Sequence, residues 1–551
     1  MPAKPGKRLK LVLLALAIAA AFLALSRPAA QVLNLARPPG APAASAQSAL
    51  DIPEARIAGE EVDSAALKRF YQARGSRLAW SGSTQADADA RLALAALSRG
   101  ADHGLDISHY HIDLLSHRAP EAAAFDFLMT DAVLRYAREL RTGRVTPVAA
   151  YSDVALPAQV FDAAAALEAA LSSGSLTKFL ADLAPPHPEY ARLVGALATY
   201  RRVAADGEWA PLPEAPKTLK KTDPDPRLPL LPARLAREDM SVAADADPVA
   251  ALKRYQSRNG LDPDGKLGPQ TLAMLNIQPS ERAAQIEANM DRWRWLPRTF
   301  ENRYIVINAA DATLELVANG EIQLRSRVIV GATDKKTPIF RTMAREVTAN
   351  PPWNVPYSIA RKEILPKLKR DANYLASQHM VLLDGPANDP QGTRIDWKKI
   401  PAGTFPYRIQ QRPGPDNALG TLKLEMPNDF NVYLHDTPGR GAFARTNRNL
   451  SHGCIRVQEI MSLASIALTG VTLAAVADLK SAIEAGETKH IPLREPLPVY
   501  VLYWTASADP DGTVHFRPDV YKRDRQLQSA LPPKAERAQT FLQDDCGLSA
   551  G

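Results

Sequence analysis

Asn431-Val432-Tyr433-Leu434-His435-Asp436 and Ser451-His452-Gly453-Cys454-Ile455-Arg456, with Cys454 19 residues beyond His435, decide how this chain is read. The first stretch alternates apolar and polar, as a half-buried strand does, and reaches an imidazole. The second sets a thiol behind a glycine. A thiol attacks only as thiolate, and an imidazole within hydrogen-bond reach takes its proton and keeps the pair polarised. Val457, Ile460, Met461 and Ala464 follow at helical spacing. A helix is therefore expected to begin at Cys454 and aim its N-terminal N–H groups at the sulfur. Gly453 lets the backbone come close enough to form an oxyanion hole. Asp436 adjoins His435, but adjacent strand residues face opposite ways, so its carboxylate is not expected to orient the imidazole. Cys454 is the candidate nucleophile and His435 the candidate general base and acid.

Around this core, strand signals begin near residue 300. Tyr304–Asn308 and Thr313–Val317 are apolar-rich runs, Asn319-Gly320 is a hairpin turn signal, and Val328–Val330 continues the series. Residues 357–380 break it with a helical pattern carrying Ile359, Ile364, Leu365 and Leu368. Strands are predicted again at Thr421–Leu424 and Asn431–Leu434, then as a last pair, Val499–Trp504 with Thr513–Phe516, about the turn Asp509-Pro510-Asp511-Gly512. Further towards the N-terminus, residues 211–232 are proline-rich and predict a linker. From about 60 to 205 the spacing is helical, as in Ala132, Leu134, Tyr136, Ala137 and Leu140, and in Leu193, Leu197 and Tyr200 after Pro188. Between these lies a compact unit. Val249, Leu252 and Tyr255 form a helical stripe, a turn runs from Gly260 to Gly265, and Gly268-Pro269-Gln270-Thr271 opens a second helix.

The chain's ends read differently. Lys4, Lys7, Arg8 and Lys10 precede the apolar run Leu11–Leu25, and Ala24-Leu25-Ser26 offers a small-x-small site. This is an export signal, cleaved or retained as a membrane anchor. Either way the bulk of the chain belongs in the cell envelope. With 551 residues, length alone suggests roughly three to four domains. The net charge of +7 suits a polyanionic surface such as a cell wall, and no basic block with interleaved aromatics points to nucleic acid. The two cysteines, Cys454 and Cys546, are too few for a disulfide framework or a cysteine-based zinc site.

His435 with Ser451-His452-Gly453-Cys454 resembles the signature of the YkuD-type L,D-transpeptidase catalytic domain. Val330-Gly331 with Thr337-Pro338, Asn350-Pro351-Pro352-Trp353 and Arg412-Pro413-Gly414-Pro415 resemble its large multi-domain Gram-negative subgroup. Phe70-Tyr71, Trp80, Gly104-Leu105 and Gly143-Arg144-Val145 resemble that subgroup's helical scaffold. The resemblance covers about residues 60 to 527. Leu261, Asp264, Gly265, Gly268 and Thr271 carry a second resemblance, to a small three-helix peptidoglycan-binding module.

The resemblance implies a multi-domain α+β protein with a mostly-β catalytic domain, a helical lid, an α-helical scaffold and that module. The implied segments are a signal or anchor (1–26), a tether (27–55), the scaffold (56–215), a linker (216–240) and the module (241–280). The catalytic domain (300–485, lid about 355–405) follows, with C-terminal strands (486–527) and a polar tail (528–551). Cys454 matches the nucleophile and His435 the base. Ser451, His452, Gly453, Arg456 and Tyr433 match the oxyanion and substrate side. Arg456 replaces the asparagine of simpler members, as in the larger ones. Arg445 and Arg448 are further candidates for substrate carboxylates, while Trp353 and Trp397 are read first as core aromatics. The implied reaction is transfer from a tetrapeptide stem through a thioester, giving 3→3 crosslinks, with neither metal nor organic cofactor. Its partners are donor and acceptor stems, with cell-wall synthases as candidates. The alternatives are an L,D-carboxypeptidase on the same bond and a non-catalytic wall-binding protein. Carbapenems are the β-lactam class such a thiol is expected to take.

Overall fold

The computed structural model describes residues 56–117, 121–214, 225–239, 242–468 and 473–531. The export signal, the tether, part of the linker (216–224 and 240), the tail from residue 532 and Cys546 lie outside these residues. No described helix is long and apolar enough to cross a membrane. The chain is multi-domain α+β, with helices ahead of a sheet-rich C-terminal part. It divides into two compact units.

The first unit takes in the described residues up to Ser98, Ile107–Leu134 and Ala164–Leu176. It opens with a short hairpin of β1 (Arg56–Ile57) and β2 (Glu60–Glu61). Helices Ser64–Ala73 and Thr84–Ser98 follow, with Phe70, Tyr71, Leu94 and Leu97 buried. Asp126 is fully buried in this unit. Its carboxylate accepts hydrogen bonds from the Tyr71 hydroxyl (2.6 Å) and the Trp80 N–H (2.7 Å), and so ties a loop to a helix. Buried polar groups persist when paired in this way.

The second unit holds everything that positions the cysteine. Helix Pro248–Arg258 buries Leu252 and Tyr255, whereas Val249, expected on the same stripe, is an exposed residue. Helix Pro269–Leu275 follows, capped by Gly268. Leu261 is buried, and Gly265 adopts a left-handed φ of 74°. The Gln256 side chain joins the two helices, donating to Asp264 (3.0 Å) and Thr271 (3.2 Å) and accepting from the Gly265 N–H (2.8 Å). These motif residues thus build the module's own fold.

The module is bonded to the chain's last strands. Arg517 donates to the Arg258 carbonyl (2.9 Å) and pairs with Asp311. A side chain at Gly260 would meet Arg517 Cδ at 2.7 Å.

The main sheet contains β3 (Val154–Ala155), β4 (Arg303–Asn308), β5 (Thr313–Ala318), β6 (Glu321–Gly331) and β7 (Ile339–Ala349). The Asn319-Gly320 turn joins β5 to β6, with both residues at positive φ. A small sheet then interrupts: β8 (Trp353–Asn354), β9 (Met380–Leu382) and β10 (Ile409–Gln411), in the order β8-β10-β9. The chain returns to the main sheet with β11 (Leu422–Glu425), β12 (Leu434–His435), β13 (Asn449–Ser451), β14 (Ile455–Val457) and β15 (Lys489–Leu502). Strand order runs β11-β12-β14-β6-β5-β4-β15-β7-β3, and β11 also pairs with β7, which closes the sheet on itself.

Two expectations need correction here. Asn431–Leu434 was expected as a strand, but only Leu434–His435 pairs, because Asn431 turns at φ 53°. Val514–Phe516 (β17) does not pair with Val499–Trp504. It pairs with β16 (Ala506–Ala508), while Val499 to Leu502 belong to β15 and lie parallel to β4.

Residues 353–411, which take in the segment expected as a lid (about 355–405), have a core of their own. Ile364, Leu365, Leu368, Leu375, Met380, Leu382, Trp397, Phe405 and Ile409 are buried together, and Trp353 packs against them. Trp397 donates to the Gly392 carbonyl (2.8 Å), so it is the core aromatic expected. The first lid helix widens into a π-turn at Ala360–Ile364. Pro366 explains it: a helical proline clashes with the carbonyl four residues earlier, at Lys362, and a wider turn relieves that contact.

Candidate active site

β12 and β14 lie side by side and parallel, with Leu434 opposite Ile455 and His435 opposite Arg456. Alternation along the strands then sets Tyr433, His435, Cys454 and Arg456 on one face of the sheet. Lys423, opposite His435 on β11, joins them, and its ammonium lies 4.1 Å from the centre of the Tyr433 ring. The same alternation turns the Asp436 side chain away, as expected. Its carboxylate accepts from Thr421 (3.0 Å) and Arg440 (2.8 Å). The Asp436 carbonyl does orient the imidazole, however, lying 2.6 Å from His435 Nδ1. A carbonyl only accepts, so Nδ1 carries a proton in this contact.

The expected helix at Cys454 is absent. Cys454 runs straight into β14, and the helix starts at Ile460. The alternation Ile455-Arg456-Val457, inward-polar-inward, won over the helical spacing of the same apolar residues. No helix dipole therefore acts on the thiol.

The loop carrying the thiol is held by hydrogen bonds. Gly453 has φ 116°, which favours glycine. Ser451 Oγ donates to the Cys454 carbonyl (2.5 Å) and accepts from the Gly453 N–H (3.1 Å). Thr337 Oγ1 donates to the Gly453 carbonyl (2.9 Å) and accepts from the Gly331 N–H (2.9 Å). The Tyr521 hydroxyl donates to the Gly331 carbonyl (2.5 Å). At Gly331 a side chain would lie 2.1 Å from the Lys335 carbonyl, so only glycine fits.

Cys454 is half-buried and free. Its Sγ lies 3.8 Å from the Asn431 carbonyl, to which the thiol donates, and it accepts from Tyr433 through both backbone and hydroxyl. Burial pushes the thiol pKa up, against the pull of Tyr433, Lys423 and Arg456. Burial likewise pushes His435 down to about 3, with Arg456 adding to the effect. Both shifts favour the uncharged forms, a neutral thiol and a neutral imidazole. Tyr433 is held far above its usual range by burial and the nearby sulfur, and the Trp353 indole hydrogen-bonds its oxygen. Trp353 thus belongs to the site as well as to the lid core.

The Arg456 side chain makes no hydrogen bond or ion pair among the described residues, and its buried Nε lacks an acceptor. Arg448 is different: its guanidinium holds the Asp311 (2.9 Å) and Val328 (3.2 Å) carbonyls, a structural role. Arg445 is exposed. His452 is exposed and pairs with Glu363 of the lid. No group of three or more His, Cys, Asp or Glu side chains among the described residues could hold a metal ion.

Three stretches of the chain match known families. Residues 302–476 match the L,D-transpeptidase catalytic domain, YkuD. Over these residues the chain is similar to L,D-transpeptidases. Residues 65–197 match a scaffold domain, and residues 243–275 match a putative peptidoglycan binding domain. A putative L,D-transpeptidase of Haemophilus influenzae is 37% identical over 246 residues, covering 45% of this chain and 49% of the relative. The match thus spans about half of that relative's length. Looser likenesses include the L,D-transpeptidase from Mycobacterium smegmatis (13% identity, 36% of this chain and 58% of that one, TM-score 0.18). Another is the enzyme from Stackebrandtia nassauensis (13% identity, 53% and 97%, TM-score 0.20). Overlaps this loose add nothing about the site.

Within residues 302–476, Cys454, His435, Tyr433 and Arg456 share one sheet face, and Ser451 and Gly453 lie in the loop just before Cys454. Thr337, Lys423, Trp353 and Glu363 were not among the expected site residues. Thr337 and Trp353 stand in stretches that carried the family resemblance. Lys423 was legible only as the polar position of an alternating strand, and Glu363 had no local signal.

Proposed function

We propose that this protein is an L,D-transpeptidase that forms 3→3 peptidoglycan crosslinks through a Cys454 thioester. The supporting observation is the single sheet face shared by Cys454, His435 and the unpartnered Arg456. The donor is a tetrapeptide stem whose scissile amide joins an L-configured centre to a terminal D-amino acid. Arg456, with Lys423 nearby, suits a donor carboxylate. The thiol has an unusually high pKa, so its proton passes to His435 Nε2 as sulfur attacks the amide carbon. The backbone N–H groups of His452 and Cys454 are the donors assigned to the developing oxyanion. The carbon–nitrogen bond breaks, His435 returns the proton to the departing amine, and a thioester remains. An amine of a second stem then attacks the thioester, gives its proton to His435, and leaves with the acyl group while the thiol is restored.

Residues 1–26 direct the chain to the cell envelope, where residues 11–25 tether it to the inner membrane or are removed with the signal. The module at 241–280 holds the wall polymer near the site. The deciding experiment incubates purified stems with the wild-type chain and with Cys454→Ala, and reads the products by mass spectrometry. Crosslinked dimers from the wild type alone support transpeptidation. Trimmed stems without dimers assign the L,D-carboxypeptidase reading. Dimers from both chains remove Cys454 from the reaction.

A further inference from the structure

Glu363 stands in the π-turn of the lid and reaches across to the nucleophile loop. Its Oε1 accepts from Lys335 Nζ at 2.9 Å and pairs with His452 Nε2. His452 lies two residues before Cys454. Lys335 lies in the Gly331–Thr337 loop, whose Thr337 hydroxyl holds the Gly453 carbonyl. One carboxylate oxygen thus joins the lid to both loops that meet at the thiol. Lys335 and His452 hold the Glu363 carboxyl below its ordinary range, against burial, so the carboxylate stays charged near neutrality. The π-turn matters to this reach. A wider turn displaces side chains from regular α-helical positions, and such turns often mark functional sites.

Resting on the reading above, we propose that Glu363 is a positioning residue that clasps the lid to the His452-Gly453-Cys454 loop and sets the thiol for acylation. It touches neither substrate nor sulfur. It acts through His452, whose backbone runs directly into the Gly453–Cys454 peptide. Opening the clasp leaves the donor site formed while the loop loses one of its restraints. The cost therefore falls on the rate of acyl transfer within the bound complex, with little change in binding.

The test uses full-length protein in a Cys454-only background, Cys546→Ser, with a carbapenem as the acylating probe. Intact-mass kinetics give the limiting acylation rate and the half-saturating concentration separately. Glu363→Ala is expected to lower the limiting rate at least tenfold and to change half-saturation less than threefold. Glu363→Gln keeps an acceptor oxygen and is expected to recover part of the rate; it also serves should the alanine variant fold poorly. Glu363→Ala combined with His452→Ala is expected to be no slower than the slower single variant, since both open one clasp. A limiting rate within twofold of wild type for Glu363→Ala overturns the proposal. So does an effect confined to half-saturation, or full additivity in the double variant. A wild-type chain that takes the probe but joins no stems sinks the transpeptidase reading and leaves the clasp standing. A wild-type chain that takes no acyl group overturns both.

Discussion

Acidification is the sharpest probe of the buried imidazole. Burial, then Arg456, drives His435 down to about 3, while the carbonyls of Asp436 and Leu419 only partly oppose them. An imidazole titrating at the ordinary value of about 6.5 would be only ~3% neutral at pH 5.0, a loss of about thirtyfold in available base. With His435 at about 3, ~99% stays neutral at that pH, and the loss vanishes. The thiol's raised pKa keeps it protonated over the same range, so no thiolate population changes the count. Acylation of Cys454 should therefore vary less than about threefold between pH 5.0 and 7.5. The sign is definite: a base with a lowered pKa stays competent further into acid, and its activity falls only as the pH nears 3. The assay is intact-mass acylation by a carbapenem with the Cys546→Ser chain, and unfolding is monitored at each pH. A roughly thirtyfold fall with a midpoint near about 6.5 would refute the buried imidazole and show a base that titrates at the ordinary value.

Three further outcomes follow from particular contacts. Cys454→Ala should abolish acyl-enzyme formation and leave the thermal midpoint within about 2 °C, since a half-buried thiol loses little packing. Retained acyl-enzyme in that variant would end the mechanism. Thr337→Val keeps the side chain's shape but strands the Gly453 carbonyl and the Gly331 N–H, costing about 1–3 kcal/mol in chemical denaturation. A loss below about 0.5 kcal/mol would count against the staple. Arg517→Ala removes the bond to the Arg258 carbonyl and the pair with Asp311, and should lower the unfolding midpoint of the catalytic domain. An unchanged midpoint would show that the peptidoglycan-binding module is not a brace.

The candidate nucleophile and base were readable because they sit close in sequence, on or beside strands that pair directly. Cys454 and His435 needed only one register, Leu434 against Ile455, to share a face of the sheet. The local geometry around them was less readable. Val457 and Ile460 satisfy a strand and a helix spacing equally, and only the partner strands β12 and β6 decide that Cys454 enters a sheet. The charge state was hidden as well, because it depends on burial of His435 and on Arg456 across the register. Glu363 lies far from Cys454 in sequence and reaches the site through a lid whose fold depends on Trp397, Leu375 and Ile409 packing together. The module motif was legible as a fold, since Gln256, Asp264 and Thr271 bond one another. Its meaning for ligands lies outside those bonds.

β15 enters the main sheet between β4 and β7, with Val499 opposite both Ile305 and Thr342. Both neighbours were synthesised long before it. A growing chain that has reached Cys454 still lacks this strand, and two buried-type edges remain open. Folding of the domain is therefore governed by a late, non-local closure, which makes it slow and leaves nascent chains prone to aggregate. A protein truncated before Lys489 would contain every reacting group and still have no barrel in which to hold them.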